Sequence, residues 1–368
     1  MPYIRLVNVT KRFERVTAIN RVTLEIRDGE YICVLGPTGS GKTTLLKLIA
    51  GLVKPDEGEI YIDDKLVNKI PPQERSAVYV PQQYALFPHM TVIENVAFGP
   101  LARGLSKEEA FEKARKMLEL TRLAWRAESF PNELSGGMQQ RVALARGLAS
   151  GAEILLLDEP LGALDARLRV ELREKLRELV KESNLTAVHV THDQEEALSV
   201  ADRLVVLREG EIQQAGESFE LYKKPSSIFV ANFVGGSNFL EGVVVQKDKY
   251  GSLILMREGL KVRVRDVSHS LLETVVVSVR EESIKIGAKP RRGINSLPGE
   301  VRDVHFLGLF LLYNIRLKNG DLVNCKVPVS VADEVIPKKA KVFLHFSPDE
   351  TIVYPYPPQG LFKEIEAI

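Results

Sequence analysis

Short apolar segments alternate with amphipathic segments through roughly the first two thirds of the chain. Residues 31–35, 154–157 and 186–190 are short and largely apolar, which is typical of strands buried within a parallel sheet. The segments that follow Ser106 and Asp165 instead repeat apolar residues at helical spacing. This alternation predicts an α/β domain, with a predominantly helical part at about residues 85–150.

The pattern changes near Asn238, where short β-like runs without helical period begin. Residues 311–317 and 322–327 flank Lys-Asn-Gly-Asp at 318–321, which predicts a hairpin with a two-residue turn. We therefore predict two domains: residues 1–236, of α/β class, and residues 237–368, an all-β domain.

Composition limits which kinds of partner, cysteine site and membrane segment this chain can have. The 368 residues carry a net charge of +1 with interspersed signs, so no basic surface favours nucleic acid, and we expect no nucleic-acid partner. Cys33 and Cys325 are far apart in sequence, which argues against a disulfide framework or a cysteine metal site. The longest apolar stretches, such as 306–313, fall short of the roughly 20 residues of a membrane-spanning helix. Any membrane-embedded part must therefore come from other chains.

The segment after the first buried strand has the composition of a phosphate-binding loop. Its glycines let backbone N–H groups turn toward a phosphate, a lysine reaches the terminal phosphates, and a threonine hydroxyl binds Mg²⁺. The N-terminus of the following helix adds a favourable dipole. The predicted contacts to a nucleoside triphosphate are Gly36, Pro37, Thr38, Gly39, Ser40, Gly41, Lys42, Thr43 and Thr44.

Polar residues follow three other predicted strands. Asp158 and Glu159 come directly after residues 154–157, and we assign Asp158 to Mg²⁺ and Glu159 to the attacking water. Either Gln82 or Gln83 can present its amide to the metal or to water. His192 is a candidate hydrogen-bond donor to the terminal phosphate, although a lone histidine is usually structural.

Two further features, a helix start and an aromatic residue, would function only with a partner or a ligand. A predicted helix begins at Ser135, Gly136 and Gly137 and exposes backbone N–H groups and a hydroxyl. By itself this helix start would bind an anion only weakly. Phe13, at the end of the first strand, is either an ordinary packed residue or a platform on which a purine stacks.

Six features follow one another along the chain in this order: the phosphate loop, Gln82, Leu-Ser-Gly-Gly-Met-Gln-Gln-Arg, Leu-Leu-Leu-Asp-Glu-Pro, Ala-Leu-Asp and His192. Together they resemble the nucleotide-binding subunit of an ABC transporter. The resemblance spans residues 3 to about 236 and implies a P-loop ATPase fold with a helical subdomain, using ATP and Mg²⁺. It favours Gln82 over Gln83 as the glutamine that contributes to catalysis and to the metal. It also implies that Phe13 stacks on adenine and that Asp165 lies at the nucleotide.

The resemblance further implies a head-to-tail homodimer that closes on two ATP molecules. Each ATP would contact the phosphate loop of one protomer and Ser135, Gly136 and Gly137 of the other. Residues 84–90 resemble the surface that receives a helix of the membrane permease, although core packing also accounts for some of these side chains. Met138 stands where most relatives carry glutamine.

The C-terminal region resembles the oligonucleotide-fold-like regulatory (TOBE-like) extension of importer ATPases for sugars, polyamines, ferric iron and sulfate. Glu281 stands where those proteins carry proline, and residues 235–240 lack the Pro-Met common in sugar importers. The implied partners are integral membrane permease subunits and, indirectly, an extracellular solute-binding protein. The implied location is peripheral, on the cytoplasmic side of the membrane. The alternative is a soluble, non-transport ABC ATPase, although such proteins usually carry two cassettes or an inserted coiled coil. An exporter subunit is disfavoured by the extension.

Overall fold

The computed structural model describes residues 3–332 and 334–366. The chain divides into two compact units, Met1–Lys223 and Lys224–Ile368. The predicted change of domain after residue 236 lies within the second of these units. Residues 1, 2, 333, 367 and 368, which the predicted domain ranges include, lie outside the described residues.

The first unit contains ten strands and seven α-helices among its described residues. The strands are β1 (Ile4–Phe13), β2 (Val16–Ile26), β3 (Tyr31–Leu35), β4 (Glu57–Ile62), β5 (Lys65–Leu66), β6 (Ala77–Val80), β7 (Ile154–Asp158), β8 (Thr186–Val190), β9 (Arg203–Arg208) and β10 (Glu211–Glu217). The helices are α1 (Lys42–Ala50), α2 (Val92–Ala102), α3 (Lys107–Leu120), α4 (Gly136–Ala149), α5 (Ala166–Glu182), α6 (Gln194–Val200) and α7 (Ser218–Lys223).

A six-stranded sheet organises this unit, in the order β10-β9-β3-β8-β7-β6. The strands from β9 to β6 are parallel, and β10 joins β9 in antiparallel orientation. Every residue of β3, β7 and β8 is buried, as the apolar pattern predicted. Strands of this kind present functional groups at their carboxyl ends, where β3, β6, β7 and β8 lead into the predicted site. A second sheet of β2-β1-β4-β5 contributes Ile4, Leu6 and Ile60 to a core shared with α1.

The predicted helical part is present as α2, α3 and α4, which pack around their own apolar cluster. Val96, Ala114, Leu118 and Val142 are fully buried in it. Ser106 begins α3 with a capping box, since Ser106 and Glu109 satisfy each other's backbone N–H groups.

Among its described residues, the second unit contains two five-stranded antiparallel sheets that share a buried core, which confirms the all-β prediction. Their orders are β13-β12-β11-β14-β20 and β15-β19-β16-β17-β18. The elements are α8 (Ile228–Phe233), β11 (Ser237–Asp248), β12 (Gly251–Leu255), β13 (Lys261–Val264), β14 (Thr274–Arg280), β15 (Lys285–Gly287), β16 (Asn295–Phe306), β17 (Phe310–Leu317), β18 (Leu322–Pro328), β19 (Lys341–Phe346), β20 (Thr351–Pro355) and α9 (Leu361–Glu366).

The predicted hairpin is formed by β17 and β18, but its turn is longer than the two residues that were predicted. The backbone N–H of Leu317 donates to Asp321 O at 2.8 Å, so Lys318, Asn319 and Gly320 form the turn. Gly320 has a φ of 90°, the left-handed conformation typical of three-residue hairpin turns.

Both cysteines are free and buried, as expected. The thiol of Cys325 donates to Ile284 O at 2.8 Å, and burial raises its pKa to about 12. Among the residues that the structure describes, no helix is long and apolar enough to cross a bilayer.

Candidate functional site

The phosphate loop connects β3 to α1, and its glycines are required by crowding as well as by conformation. Gly41 has a φ of 104°, and a Cβ there would lie 2.2 Å from Ala18 O. A Cβ on Gly36 would lie 2.2 Å from Leu207 O. Gly39 has a φ of 82°, and a Cβ there would have no atom within 4 Å. Gly39 and Thr38 are the exposed residues of the loop. The loop can therefore hold its tight path only with this glycine pattern.

Lys42 is a buried ammonium group that forms no ion pair with a carboxylate among the residues that the structure describes. It is 8% exposed, and its Nζ donates to Gly36 O at 2.7 Å and to Pro37 O at 2.9 Å. Burial lowers its pKa, although Glu159 and Asp158 act in the opposite direction. The Oγ of Ser40 is buried and lacks a hydrogen-bond partner among the described residues. A cation and an unsatisfied hydroxyl within one loop fit an anionic ligand.

Thr43 and Asp158 are brought together as the sequence predicted. Thr43 Oγ1 donates to Asp158 Oδ1 at 3.1 Å, across the ends of α1 and β7. Asp158 is 2% exposed. Thr44, the next residue of α1, is half-buried. Among the described residues no three His, Cys, Asp or Glu side chains cluster as a metal site. One carboxylate plus a hydroxyl fits Mg²⁺, which commonly takes few protein ligands and relies on substrate phosphates.

Tyr79 was missed by the sequence analysis. It lies on β6 beside β7, and its hydroxyl donates to Asp158 Oδ2 at 2.8 Å. Burial and this hydrogen bond raise the pKa of Tyr79, so the hydroxyl remains a donor. Asp158 is thereby held at both carboxylate oxygens.

Glu159 is the centre of a second cluster. Gln82 Nε2 donates to Glu159 Oε2 at 2.7 Å, and His192 Nδ1 lies 3.3 Å from Glu159 Oε1. Glu159 has a φ of 49°, and its backbone N–H donates to Val190 O at 2.8 Å. This left-handed turn directly after β7 departs from the extended strand. The three residues predicted to act in catalysis are thus in contact.

Gln140, in α4, is a second residue that sequence reasoning missed. Its amide donates to Glu159 O and accepts from the N–H of Ala163, both at 2.8 Å. The signal was a polar residue on the otherwise buried face of α4, four residues from Gly136.

The start of α4 has the predicted form. Ser135 is its N-cap, with Oγ accepting from Met138 N at 3.4 Å. A Cβ on Gly137 would lie 2.9 Å from Ala163 O, and one on Gly136 would lie 3.4 Å from the Tyr84 hydroxyl. The helix therefore packs closely on the turn after β7 through Gly137.

The side chains of three further predicted residues, Phe13, Asp165 and Ser135, have local partners or are exposed to solvent. Phe13 is 46% exposed, with the Lys11 ammonium 5.3 Å from its ring centroid. Asp165 caps α5, its carboxylate accepting from Leu168 N at 3.0 Å. Within the described part of the chain, no hydrogen bond or ion pair links these three side chains to the phosphate loop. Their predicted contacts to nucleotide thus stay predictions.

Comparisons with known proteins identify the family to which the chain belongs. The sequence profile of the ABC transporter family matches residues 19–162, and that of the TOBE domain matches residues 277–353. The chain is 45% identical to the spermidine/putrescine import ATP-binding protein PotA 1 of Pseudomonas aeruginosa, over 86% of each chain. It is 38% identical to the Fe(3+) ions import ATP-binding protein FbpC of Fusobacterium nucleatum, over 95% of this chain and 93% of that one.

A solved structure is similar to the N-terminal part. The dimeric ATP-binding cassette MJ0796, in a post-hydrolysis state bound to ADP and Pi, is 38% identical with a TM-score of 0.55, covering 58% of this chain and 98% of that one. The likeness to FbpC extends over 95% of the chain and therefore includes both units. The chain belongs to the ABC transporter family of ATP-binding subunits, in the group that carries a C-terminal TOBE domain.

Proposed function

We propose that this chain is the ATP-hydrolysing subunit of an ABC importer. The observation that carries the proposal is the cluster around Glu159, a carboxylate directly after β7 that is contacted by Gln82 and His192. It lies beside a phosphate loop whose buried lysine forms no ion pair with a carboxylate among the described residues. A carboxylate in this position can orient or deprotonate a water molecule for attack on a phosphate.

The phosphate loop binds the triphosphate. Lys42 exchanges its two backbone carbonyl partners for phosphate oxygens, and Ser40 gains an acceptor for its hydroxyl. Thr43, Asp158 and the amide oxygen of Gln82 would hold Mg²⁺, which supplies neutralisation of the phosphate charge. Phe13 offers an exposed ring on which the adenine stacks.

Hydrolysis depends on how Glu159 is held. The amide nitrogen of Gln82 donates to one oxygen of Glu159, which fixes the carboxylate and leaves the amide oxygen of Gln82 for the metal. His192 is 67% exposed in its side chain and approaches the other oxygen of Glu159, so it is free to reach a terminal phosphate.

The exposed start of α4 completes the site in a homodimer. Ser135, Gly136 and Gly137 form a weak anion site, and within the described part of the chain no hydrogen bond or ion pair links the Ser135 side chain to the phosphate loop. In a head-to-tail dimer they would close over the nucleotide of the other protomer, together with Asp165. The dimeric state of the similar cassette supports this arrangement.

The dimer would act on integral membrane permease subunits at the cytoplasmic face of the membrane, through the surface at residues 84–90. Phe87 lies there, with its ring centroid 4.6 Å from that of Phe98 on α2 and 5.3 Å from the Arg146 guanidinium. A solute-binding protein would deliver the cargo. The named relatives import polyamines or ferric iron, and those two solutes are our candidates. Stimulation of ATPase activity in a reconstituted complex by a spermidine-loaded or an iron-loaded binding protein distinguishes them.

The proposal is tested by the Glu159→Gln variant, which keeps the size of the side chain and one acceptor oxygen but removes the negative charge. We expect ATP binding to persist and hydrolysis to fall by about 10²–10⁴-fold, the usual contribution of a general base. Retention of wild-type turnover by a folded Glu159→Gln protein would refute the assignment.

A further inference from the structure

A buried amide lies between the two parts of this chain that would face different nucleotides. Gln140 is 5% exposed. Its Nε2 donates to Glu159 O and its Oε1 accepts from Ala163 N–H, each at 2.8 Å. A carboxamide presents a donor and an acceptor side by side, and here both are used on one turn of the backbone.

Close packing strengthens this link between α4 and the turn after β7. Gly137 approaches so closely that a Cβ would lie 2.9 Å from Ala163 O. On its far side the turn is held by Arg169, whose guanidinium donates to Leu164 O at 3.0 Å. The turn is thus held between α4 and α5, and a displacement of α4 moves it.

Glu159 is sensitive to such a displacement because of its backbone conformation. With a φ of 49° it occupies a region that a non-glycine residue keeps only when surrounding contacts impose it. The bond from Gln140 to its carbonyl and the bond from its own N–H to Val190 O are two of those contacts. Losing one of them frees the peptide that directs the carboxylate.

We infer that Gln140 is a positioning residue that couples the start of α4 to Glu159 of the same protomer. Nucleotide seated against Ser135 fixes α4, and Gln140 passes that constraint to the catalytic turn. The inference rests on the proposed function, since only in a head-to-tail dimer do Ser135 and Glu159 of one chain face different nucleotides. Hydrolysis at one site then depends on occupancy of the other.

The full-length Gln140→Leu variant removes both hydrogen bonds while keeping similar volume. We expect kcat to fall by about 10–100-fold, as for a small misplacement of a reacting group, with the Kd for ATP unchanged. The dependence of rate on ATP concentration should lose its cooperativity. An unchanged kcat, or a raised Kd with unchanged kcat, would overturn the inference.

Gln140→Glu is the conservative variant, and it also decides the matter if the leucine variant does not fold. Its ionised carboxylate can still accept from Ala163 N–H but faces Glu159 O with an oxygen instead of a donor. Burial raises the pKa of such a carboxyl, and its protonated form can donate again. Its kcat relative to wild type should therefore recover as the pH falls, whereas a pH-independent ratio counts against positioning through this bond.

A double-variant comparison shows whether Gln140 acts through Glu159. Adding Gln140→Leu to Glu159→Gln should leave the residual rate unchanged, because effects through one group are not additive. A further fall equal to that of the single variant would overturn the inference. Failure of the inference can be distinguished from failure of the proposed function, because the proposed function fails only if Glu159→Gln alone hydrolyses ATP at the wild-type rate.

Asn295 supplies a matched control. It is also 5% exposed, and its amide accepts from Arg263 N at 2.7 Å and donates to Arg263 O at 2.8 Å. Asn295→Leu removes the same pair of bonds in the other compact unit. It should lower the melting temperature as Gln140→Leu does and leave kcat and cooperativity unchanged. If it reduced kcat equally, general destabilisation would explain both variants and the inference would fall.

Discussion

Tyr79→Phe removes one hydrogen bond from the carboxylate that we assign to Mg²⁺. The phenylalanine ring keeps the packing of Tyr79, so the change is confined to the hydroxyl, 2.8 Å from Asp158 Oδ2. Without this donor, the hydrogen bond that remains to the Asp158 carboxylate among the described residues is that from Thr43, at 3.1 Å on the other oxygen. The carboxylate is then free to rotate away from the orientation that the metal needs.

The expected magnitude follows from the charge of the acceptor. A hydrogen bond to a charged group contributes about 1.5–3 kcal/mol, and every 1.4 kcal/mol or so is a factor of ten in affinity. We therefore expect Mg²⁺ to bind about 10–100-fold more weakly, the range found when residues that orient metal ligands are changed. Saturating Mg²⁺ should restore kcat, because the Tyr79 hydroxyl affects how Asp158 binds the metal and not how the attacking water is activated.

Electron paramagnetic resonance of Mn²⁺, titrated into the ADP-bound chain, measures this affinity without turnover. Tyr61→Phe is the matched control, since the Tyr61 hydroxyl also donates to a carboxylate at 2.8 Å, that of Glu59 on β4. An Mn²⁺ affinity in Tyr79→Phe equal to that of wild type would refute the role assigned to Tyr79. A loss of kcat that excess Mg²⁺ does not restore would refute it as well.

Three other predictions concern nucleotide binding and the two units. Lys42→Ala should abolish ATP hydrolysis with an unchanged circular dichroism spectrum, and near-wild-type turnover would contradict the assignment of the phosphate loop. Phe13→Ala should weaken ATP binding by the loss of about 1–3 kcal/mol of stacking, with Phe13→Tyr nearly neutral; a titration without change returns Phe13 to a structural role. A chain that ends at Lys223 should fold and keep basal ATPase activity, and an insoluble product would show that the first unit depends on the second.

The local chemistry of the site was predictable because it is encoded in contiguous residues. The glycines around Lys42, and Asp158 and Glu159 after an apolar run, each specify a loop or a strand end through short-range rules. Parallel pairing then brings these strand ends together. The contact of Gln82 with Glu159 follows from the order β7-β6 in the sheet.

Tyr79 and Gln140 were not predictable in the same way. Tyr79 reads as one more β-forming residue of an apolar strand, and its partner is 79 residues away in sequence. Gln140 lies on a helix whose burial depends on how α4 packs against the turn after β7. The hairpin turn was predicted too short because Asn-Gly favours two residues, while the pairing of Leu317 with Asp321 leaves three in the turn. In each case the deciding contact is tertiary.

The mass of the Glu159→Gln chain in solution, measured by light scattering with and without ATP, tests the shared-nucleotide site most directly. With hydrolysis stalled, ATP should bridge Lys42 of one protomer and Ser135 of the other. The mass should then shift from that of one chain, 41.1 kDa, toward twice that value. Adding Ser135→Arg should keep ATP bound and the chain monomeric, because a bulky cation then occupies the start of α4. A Glu159→Gln chain that binds ATP yet stays at 41.1 kDa at high concentration would contradict the account.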